Sequence, residues 1–555
     1  MLQTRHLALS SLLLLLTLPF GCGDSNDQGA ADTSADAADT SPDLGDGEDA
    51  ETSDTLAADT DTAGSDTSVA DSENDTRESD THIADTLESD TLESDTRPTD
   101  TNTEVADGSD STGDDTDTGP APVWDLPRIR DASTADCTFG PPRTVFDDGV
   151  SLEVRNTSYL SFESIDGALV PIRIRGYMAR PAVINGKRPG IVLAHGLGGA
   201  AMESQATGLA ALTGAVVIAY TGPGGGTVAD NTSEGRASGH DNGLRMFDTI
   251  PDVRGTWFWG HAVAAMRAIT CLENRDDVDA SKLGMTGYSA GAVATLTVSG
   301  VDDRLVAAVP LSGTLAWDVA TTSPSAWQHT LLSQAGLDIT SARWAELMEL
   351  LAPDVLLANT DTAVLMVNGT TDEFFPVAAH VATLNALPES RRTSLVGNFD
   401  HGCYGLTGGE SASTIEARAD LRARGGQRMW FGHHFGTDAR FANLPDTPTL
   451  TLAQNGPLLL IEAQVDEPAG QRVVEAVVWW SFDDALVWAS ASLERQGPGR
   501  YGLVTPVTPP ANTLAFVDVL YEAGTLGPRY SISSAPQIPN GHIPRIRAID
   551  TCLAP

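Results

Sequence analysis

Between residues 190 and 369 of the 555-residue chain, short unbroken apolar runs alternate with longer segments rich in small residues. This alternation limits the fold more than any other feature. The runs are GIVLAHG (190–196), AVVIAY (215–220), KLGMTGY (282–288), LVAAVPLSG (305–313) and AVLMVNG (363–369). A strand that is apolar at every position must be covered on both faces, which is the condition of a parallel sheet sandwiched between helices. The intervening SQATGLAALTG, GTWFWGHAVAAMRAITCLEN, AGAVATLTVSG and SARWAELMELLAP read as the covering helices. The expected fold class is therefore α/β, a mostly parallel sheet with helices on both faces. Ahead of it, VSLEVRNTSYLSFES and LVPIRIRGYMARP read as a pair of strands.

The chain is too long for one ordinary domain, and its texture changes at both ends of this region. Residues 1–22 carry Arg5, an apolar stretch of about fifteen residues and small residues ending at Cys22, too short to span a bilayer and suited to an export signal. The closing LPFGC resembles a bacterial lipoprotein signal, although Pro19 stands where that pattern usually has Leu. The resemblance implies lipidation of Cys22, a membrane anchor and an extracytoplasmic location, on the periplasmic side or the cell surface.

Residues 23–122 follow as an acidic, Asp/Thr-rich tether. Within 23–120 there is no Phe, Tyr or Trp, and 31 acidic residues face only Arg77 and Arg97. Such a segment cannot bury enough apolar surface to offset its chain entropy and is expected to be disordered. It carries most of the net charge of −43, so the remainder is only moderately acidic and has no basic surface for nucleic acid.

The globular part divides into residues 123–442, with a helical lid insertion at about 315–353, and residues 443–555. The latter, with VVEAVVWWSF, ALVWASASLER, GRYGLVTPV and NTLAFVDVLYEAG, reads as a small all-β sandwich. Its Trp479, Trp480 and Trp488 read as core residues rather than a sugar platform. Of the cysteines after Cys22, Cys137 and Cys552 bracket the globular part and each follows a PRIR stretch, so a Cys137–Cys552 disulfide is the first pairing expected. A Cys271–Cys403 bond is not expected. No C-x-x-C metal pattern occurs, TGPGGGT (221–227) lacks the Lys-Ser/Thr of a phosphate loop, and neither metal nor cofactor is expected.

The chemistry centres on Gly287-Tyr288-Ser289-Ala290-Gly291, a G-x-S-x-G motif between a strand and a helix. The glycines suit a tight turn that exposes the Ser hydroxyl. A hydroxyl needs a base, a group that orients the base, and amides for the oxyanion. LAHGLGG (193–199) supplies a Gly-rich loop, making the amides of Leu197 and Ala290 candidate oxyanion donors. Asp372 follows the apolar run 363–369, and His401 sits in a Gly-flanked loop after a further run. Asp361 is a rival acid but precedes its strand; Asp400 is too close to His401 to reach round to it; His380, His433 and His434 fall on expected helices.

The order Ser289, Asp372, His401 is that of the α/β-hydrolase superfamily, which residues 150–440 resemble, and the spacing is most similar to the dienelactone hydrolase, acetyl-xylan esterase and prolyl-oligopeptidase-like branch. Ala292 stands where peptidase members usually carry a second Gly. The resemblance implies a serine hydrolase that cleaves carboxylic esters of small acylated substrates through a Ser-His-Asp triad. Two alternatives are a prolyl-oligopeptidase-like aminopeptidase and a non-catalytic binding module on a hydrolase fold. Trp317, Trp327 and Trp344 could line a pocket beneath the lid or form the lid's own core.

Overall fold

The computed structural model describes residues 122–238, 246–247, 252–323, 325–402, 409–482, 484–539 and 542–546. The signal, Cys22 and the acidic tether lie outside them, as do Cys403 and Cys552.

The paired strands come first. β1 (Val150–Ile165) and β2 (Ala168–Pro181) run antiparallel over their full length, from Leu152 opposite Pro181 to Ile165 opposite Ala168. The link is Asp166-Gly167, both at positive φ, the two-residue turn whose twist matches that of the strands it joins. The parallel core follows as β3 (Arg188–Ala194), β4 (Val216–Tyr220), β5 (Val278–Tyr288), β6 (Leu305–Leu311), β7 (Ala363–Gly369) and β8 (Arg391–Val396). In space the order is β1-β2-β4-β3-β5-β6-β7-β8, with β2 antiparallel to β4 and each later pair parallel. The chain leaves β3 in one direction to form β4 and returns to its other side as β5. The carboxyl ends of β3 and β5 therefore border the crevice at which open α/β sheets bind ligands.

Helices α1 (Glu203–Thr213), α2 (Trp257–Glu273), α3 (Ala290–Val301), α4 (Val377–Ala386) and α5 (Ala412–His434) cover the sheet. Side chains of α2 and α3 belong to one apolar cluster and those of α1 and α5 to another, as expected for opposite faces of a sheet. α2 is buried from Trp257 to Leu272 because a segment leading into the fold lies across it. In that segment Trp124 stacks on Trp259, and the carbonyl of Val123 accepts from the Trp259 indole at 2.7 Å. Arg267, fully buried, donates to the carbonyls of Ile129, Asp131 and Leu160. Its charge is tolerated there because oriented carbonyl dipoles replace water.

Cys137 is bonded to Cys271, not to Cys552 as the flanking PRIR stretches suggested. The reason is local geometry. Thr138–Phe139 pairs with β1 opposite Ser158 and Thr157, and α2 lies over the same part of β1, with the Tyr159 hydroxyl donating to the Ala264 carbonyl. Cys137 is thereby brought to the last turn of α2, where the two Cα atoms are 5.8 Å apart.

The C-terminal strands form two layers. Residues 449–455, 458–464, 494–497 and 500–505 make a four-stranded antiparallel sheet. β9 (Gln471–Ser481), β10 (Leu514–Ala523) and β11 (Arg529–Ser533), with residues 489–492, instead continue the central sheet, which has fourteen strands among the described residues, β11 pairing antiparallel with β8 at Ser533 and Thr393. The seam is polar and buried. Leu395 donates its amide to the Ser533 hydroxyl at 2.9 Å, Ser394 and Ser531 share a hydrogen bond at 2.6 Å, and Arg422 of α5 pairs with Asp518 of β10. Trp479 and Trp488 are buried with Phe516, whereas Trp480 is half-buried and borders a small apolar cavity of about 160 Å³ between the layers. No helix among the described residues is long and apolar enough to cross a membrane.

Candidate active site

Ser289 stands between the end of β5 and the start of α3, at φ 58° and ψ −121°. Such a backbone is costly for a residue with a Cβ and persists only where its surroundings enforce it. The flanking glycines show the enforcement. A Cβ on Gly287 would lie 2.4 Å from the Gly291 carbonyl oxygen, and one on Gly291 would lie 2.4 Å from that of Ala194. The turn is pressed against the end of β3, so only glycine fits on either side of the exposed hydroxyl.

The other two predicted residues converge on it. His401 Nε2 is 3.0 Å from Ser289 Oγ, and its Nδ1 is 2.8 Å from Asp372 Oδ2. The second carboxylate oxygen of Asp372 accepts the amides of Phe374 and Phe375 at 3.0 and 2.8 Å, so the side chain is fixed in the loop after β7. Asp372 and His401 are buried. His401 sits at φ 66° and its carbonyl accepts the Tyr288 hydroxyl at 2.6 Å, a tie from the residue beside Ser289. Phe374 and Phe375 pack against its ring. An imidazole held in this way can take a proton from the hydroxyl through one nitrogen while the carboxylate fixes the other.

The loop after β3 adjoins the hydroxyl: a Cβ on Gly196 would lie 3.2 Å from Ser289 Cβ, and Leu197 borders the same cavity as Ser289. Ala290 opens α3, where the first amides of a helix have no carbonyl partner within it. His195 fixes this loop. Its Nδ1 is 2.6 Å from the Gly196 carbonyl and its Nε2 accepts the Gly222 amide at 2.8 Å. Burial lowers the His195 pKa to about 4, so the ring is neutral near pH 7, with Nδ1 as the donor to Gly196. A trans peptide directs its N–H opposite to its C=O. Holding the Gly196 carbonyl therefore also sets the direction of the Leu197 amide. The glycine-rich stretch at 221–227 thus holds His195 through Gly222, and its Thr227 borders the cavity at Ser289.

The rivals lie elsewhere. Asp361 is exposed ahead of β7. His380 is buried against Thr393, and His433 faces the Phe441 carbonyl. His434 packs on Trp430, and Asp400 is buried next to His401. In the insertion, Trp317 and Trp344 are buried in the core, while Trp327 contacts Phe374, which contacts His401. None of the three borders the cavity at Ser289, and Trp317 and Trp344 belong to the main core cluster. A cavity of about 460 Å³ begins at Ser289 and His401 and extends between α1 and α5, bordered by Leu209, Leu212, Ala423 and Gln427. Sequence reasoning did not find this groove, nor the roles of His195 and Tyr288. The signal available for them was position alone: each stands next to a motif glycine or serine. Among the described residues no group of His, Cys, Asp or Glu could hold a metal ion.

Residues 150–405 match the family described as Acetyl xylan esterase (AXE1), a span that opens with β1 and includes Ser289, Asp372 and His401 but not the C-terminal strands. Among solved structures, the acetyl xylan esterase from Paenibacillus sp. R4 is similar at 20% identity over 52% of this chain and 91% of that one, with a TM-score of 0.41. Acetyl xylan esterase 1 from Thermoanaerobacterium sp. JW/SL YS485 is similar at 18% identity over 50% and 86%, with a TM-score of 0.39. A 2,6-dihydroxy-pseudo-oxynicotine hydrolase is similar at 15% identity over 51% and 67%, with a TM-score of 0.29. No curated protein matches the chain.

Proposed function

We propose that the chain is a serine ester hydrolase of the α/β-hydrolase superfamily in which Ser289, His401 and Asp372 act as the catalytic triad, a reading supported by the match of residues 150–405 to the acetyl xylan esterase family. The observation that carries this reading is the unbroken contact from Asp372 Oδ2 through the His401 ring to Ser289 Oγ, at 2.8 and 3.0 Å. Ser289 Oγ attacks the acyl carbon as His401 Nε2 takes its proton. The oxyanion so formed accepts from the amides of Leu197 and Ala290. His401 returns the proton to the leaving alkoxide, and the alcohol departs. Water then repeats the sequence on the acyl-enzyme, the His taking its proton and returning it to Ser289 as the acid is released. Asp372 holds the ring and stabilises the imidazolium.

The substrate class we propose is small carboxylic esters, with acetyl groups on a carbohydrate as the first to examine because of the family that the domain matches. We also propose that Cys22 is lipidated and that the acidic tether holds the hydrolase outside the cytoplasm. The signal-like N-terminus supports this, and so does a disulfide within the fold, since such bonds persist in oxidising compartments.

The deciding experiment compares wild type with Ser289→Ala for hydrolysis of p-nitrophenyl acetate and acetylated xylan, and for labelling by a fluorophosphonate. Wild type should react in each assay and the variant in none. Hydrolysis that survives the substitution would overturn the triad assignment. For the anchor, mass spectrometry should find a diacylglycerol-modified Cys22 at the mature N-terminus; an unmodified terminus beyond Cys22 would reject it.

A further inference from the structure

Among the described residues, the loop that carries His401 is held both by the segments that carry the other two triad residues and by elements outside them. Tyr288, beside Ser289, donates to the His401 carbonyl. Thr370 and Thr371, just before Asp372, bind the loop through the Asn398 amide to Thr370 Oγ1 at 2.9 Å and the Thr371 amide to the Phe399 carbonyl at 3.2 Å. Outside those segments, Arg418 of α5 donates to the Gly397 carbonyl at 2.8 Å, and the C-terminal strand layer holds Asn398. Asn398 Oδ1 accepts the Trp488 amide at 2.8 Å, and Asn398 Nδ2 donates to the Trp488 carbonyl at 2.8 Å. One side-chain amide thus grips both polar groups of a single residue, as a neighbouring strand would.

Three further observations single out this contact. Asn398 is 1% exposed and stands at φ 57°, a conformation that Asn tolerates better than most residues. Asn398 Nδ2 also lies 3.0 Å from Glu410, which pairs with Arg418 of α5, and the Arg418 guanidinium lies over the Trp479 ring. Gly397, the preceding residue, has no room for a Cβ because the Trp479 ring would be 2.4 Å from it. The loop is therefore set against β9 and the Trp488 segment, both beyond residue 405 where the acetyl xylan esterase match ends.

We propose that Asn398 is a positioning residue for His401, and that the C-terminal strands serve as the fixed reference against which its loop is held. This rests on the triad reading given above. Among the described residues of the loop, Asn398, His401 and Gly402 stand at positive φ, a backbone that does not continue a strand ladder. Ties to Tyr288 and Thr370–Thr371 connect it only to neighbours within the site. The Trp488 contact connects it to a sheet edge that the reaction does not touch. Loss of that contact should leave the substrate cavity intact, since neither Asn398 nor Trp488 borders it, and misplace the imidazole relative to Ser289 Oγ. Small displacements of a reacting group are expensive: about 1 Å can cost on the order of a hundredfold in rate.

The test measures the rate constant for phosphonylation of Ser289 by a fluorophosphonate, and kcat and KM on p-nitrophenyl acetate, for wild type, Asn398→Ala and Ile461→Ala. Ile461 is buried in the four-stranded sheet away from the loop, so its truncation lowers stability without touching Asn398. The expected result for Asn398→Ala is a fall of about 10- to 100-fold in both kcat and phosphonylation, with KM within about twofold. Ile461→Ala should lower Tm while its kcat stays within about twofold of wild type. The proposal is overturned if Asn398→Ala phosphonylates at the wild-type rate, or if its kcat falls no further than that of Ile461→Ala at matched loss of Tm. Wild type that fails to label at Ser289 would overturn the triad reading itself, and with it the proposal; labelled wild type with an unimpaired Asn398→Ala rejects the positioning role alone.

Discussion

His195 Nε2 accepts the Gly222 amide at 2.8 Å, which ties the loop after β3 to the loop after β4 across the mouth of the site. With its other nitrogen on the Gly196 carbonyl, the ring acts as a spacer that sets the Leu197 peptide. His195→Ala should lower kcat on p-nitrophenyl acetate by about 10- to 100-fold, since one oxyanion donor would be misdirected but not removed. Retention of the wild-type kcat would show that the Leu197 amide is set by something else.

The same burial makes stability pH-dependent. His195 and His380 are each held near pKa 4 by desolvation, below the ordinary 6.5 of an unfolded chain. Between those values the unfolded state binds more protons than the native state, so stability falls as pH is lowered. Stability should be fully present above about pH 6.5 and lost progressively towards pH 4, by up to about 3 kcal/mol per residue. Urea midpoints from pH 7.5 to 4 should show this drop, and His380→Gln should flatten it. His380 suits the test because it lies outside the active site.

Ser289→Ala and His401→Ala should each lower turnover by several orders of magnitude, and the double variant should be little worse, because residues that act as a unit are not additive. Asp372→Asn should cost somewhat less, leaving a base that is present but poorly oriented. Asp361→Asn, at an exposed position before β7, should be within twofold of wild type. These values follow from kcat/KM on one ester.

The groove between α1 and α5 makes a separate prediction. Gly208 faces it, and a Cβ there would meet only Arg424 Nη1, at 3.8 Å, so a larger side chain can be built into the open space. Gly208→Leu should reduce kcat/KM for p-nitrophenyl octanoate relative to acetate by about tenfold, the contact of one or two methylenes. An unchanged ratio would show that esters do not use this groove.

The Cys137–Cys271 bond closes a loop of 134 residues. On the chain-entropy account its removal by Cys137→Ser with Cys271→Ser should cost about 4–5 kcal/mol. Differential scanning calorimetry should record a lower Tm for the double serine variant, and wild type treated with a strong reductant should move towards it.

Much of the site was legible because its parts obey local rules. Gly287 and Gly291 mark a turn with no room for a Cβ, and Ser289, Asp372 and His401 each follow an apolar strand. The sheet was legible for the same reason, since β3, β4, β6 and β7 and the second half of β5 are mostly apolar. What escaped depends on contacts between distant segments. Nothing in PRIR-x-x-x-x-x-x-C shows that Cys137 sits against α2; pairing of Thr138–Phe139 with β1 does. The alternating texture of β9 to β11 reads as a sandwich by itself, and only the Ser533–Thr393 register joins these strands to β8. Asn398 is an ordinary turn residue in sequence until Trp488 lies beside it.

The disulfide also sets where a mechanical load would travel. Tension on the chain ahead of residue 122 would first meet the Trp124–Trp259 stack and the carbonyls held by Arg267, and then reach Cys137. From there the covalent route leads directly into the last turn of α2, bypassing the 134-residue loop that contains β1 to β4 and the Gly196–Leu197 peptide. A pull from that end is thus shunted into the buried helix α2, and the loop after β3 stays slack.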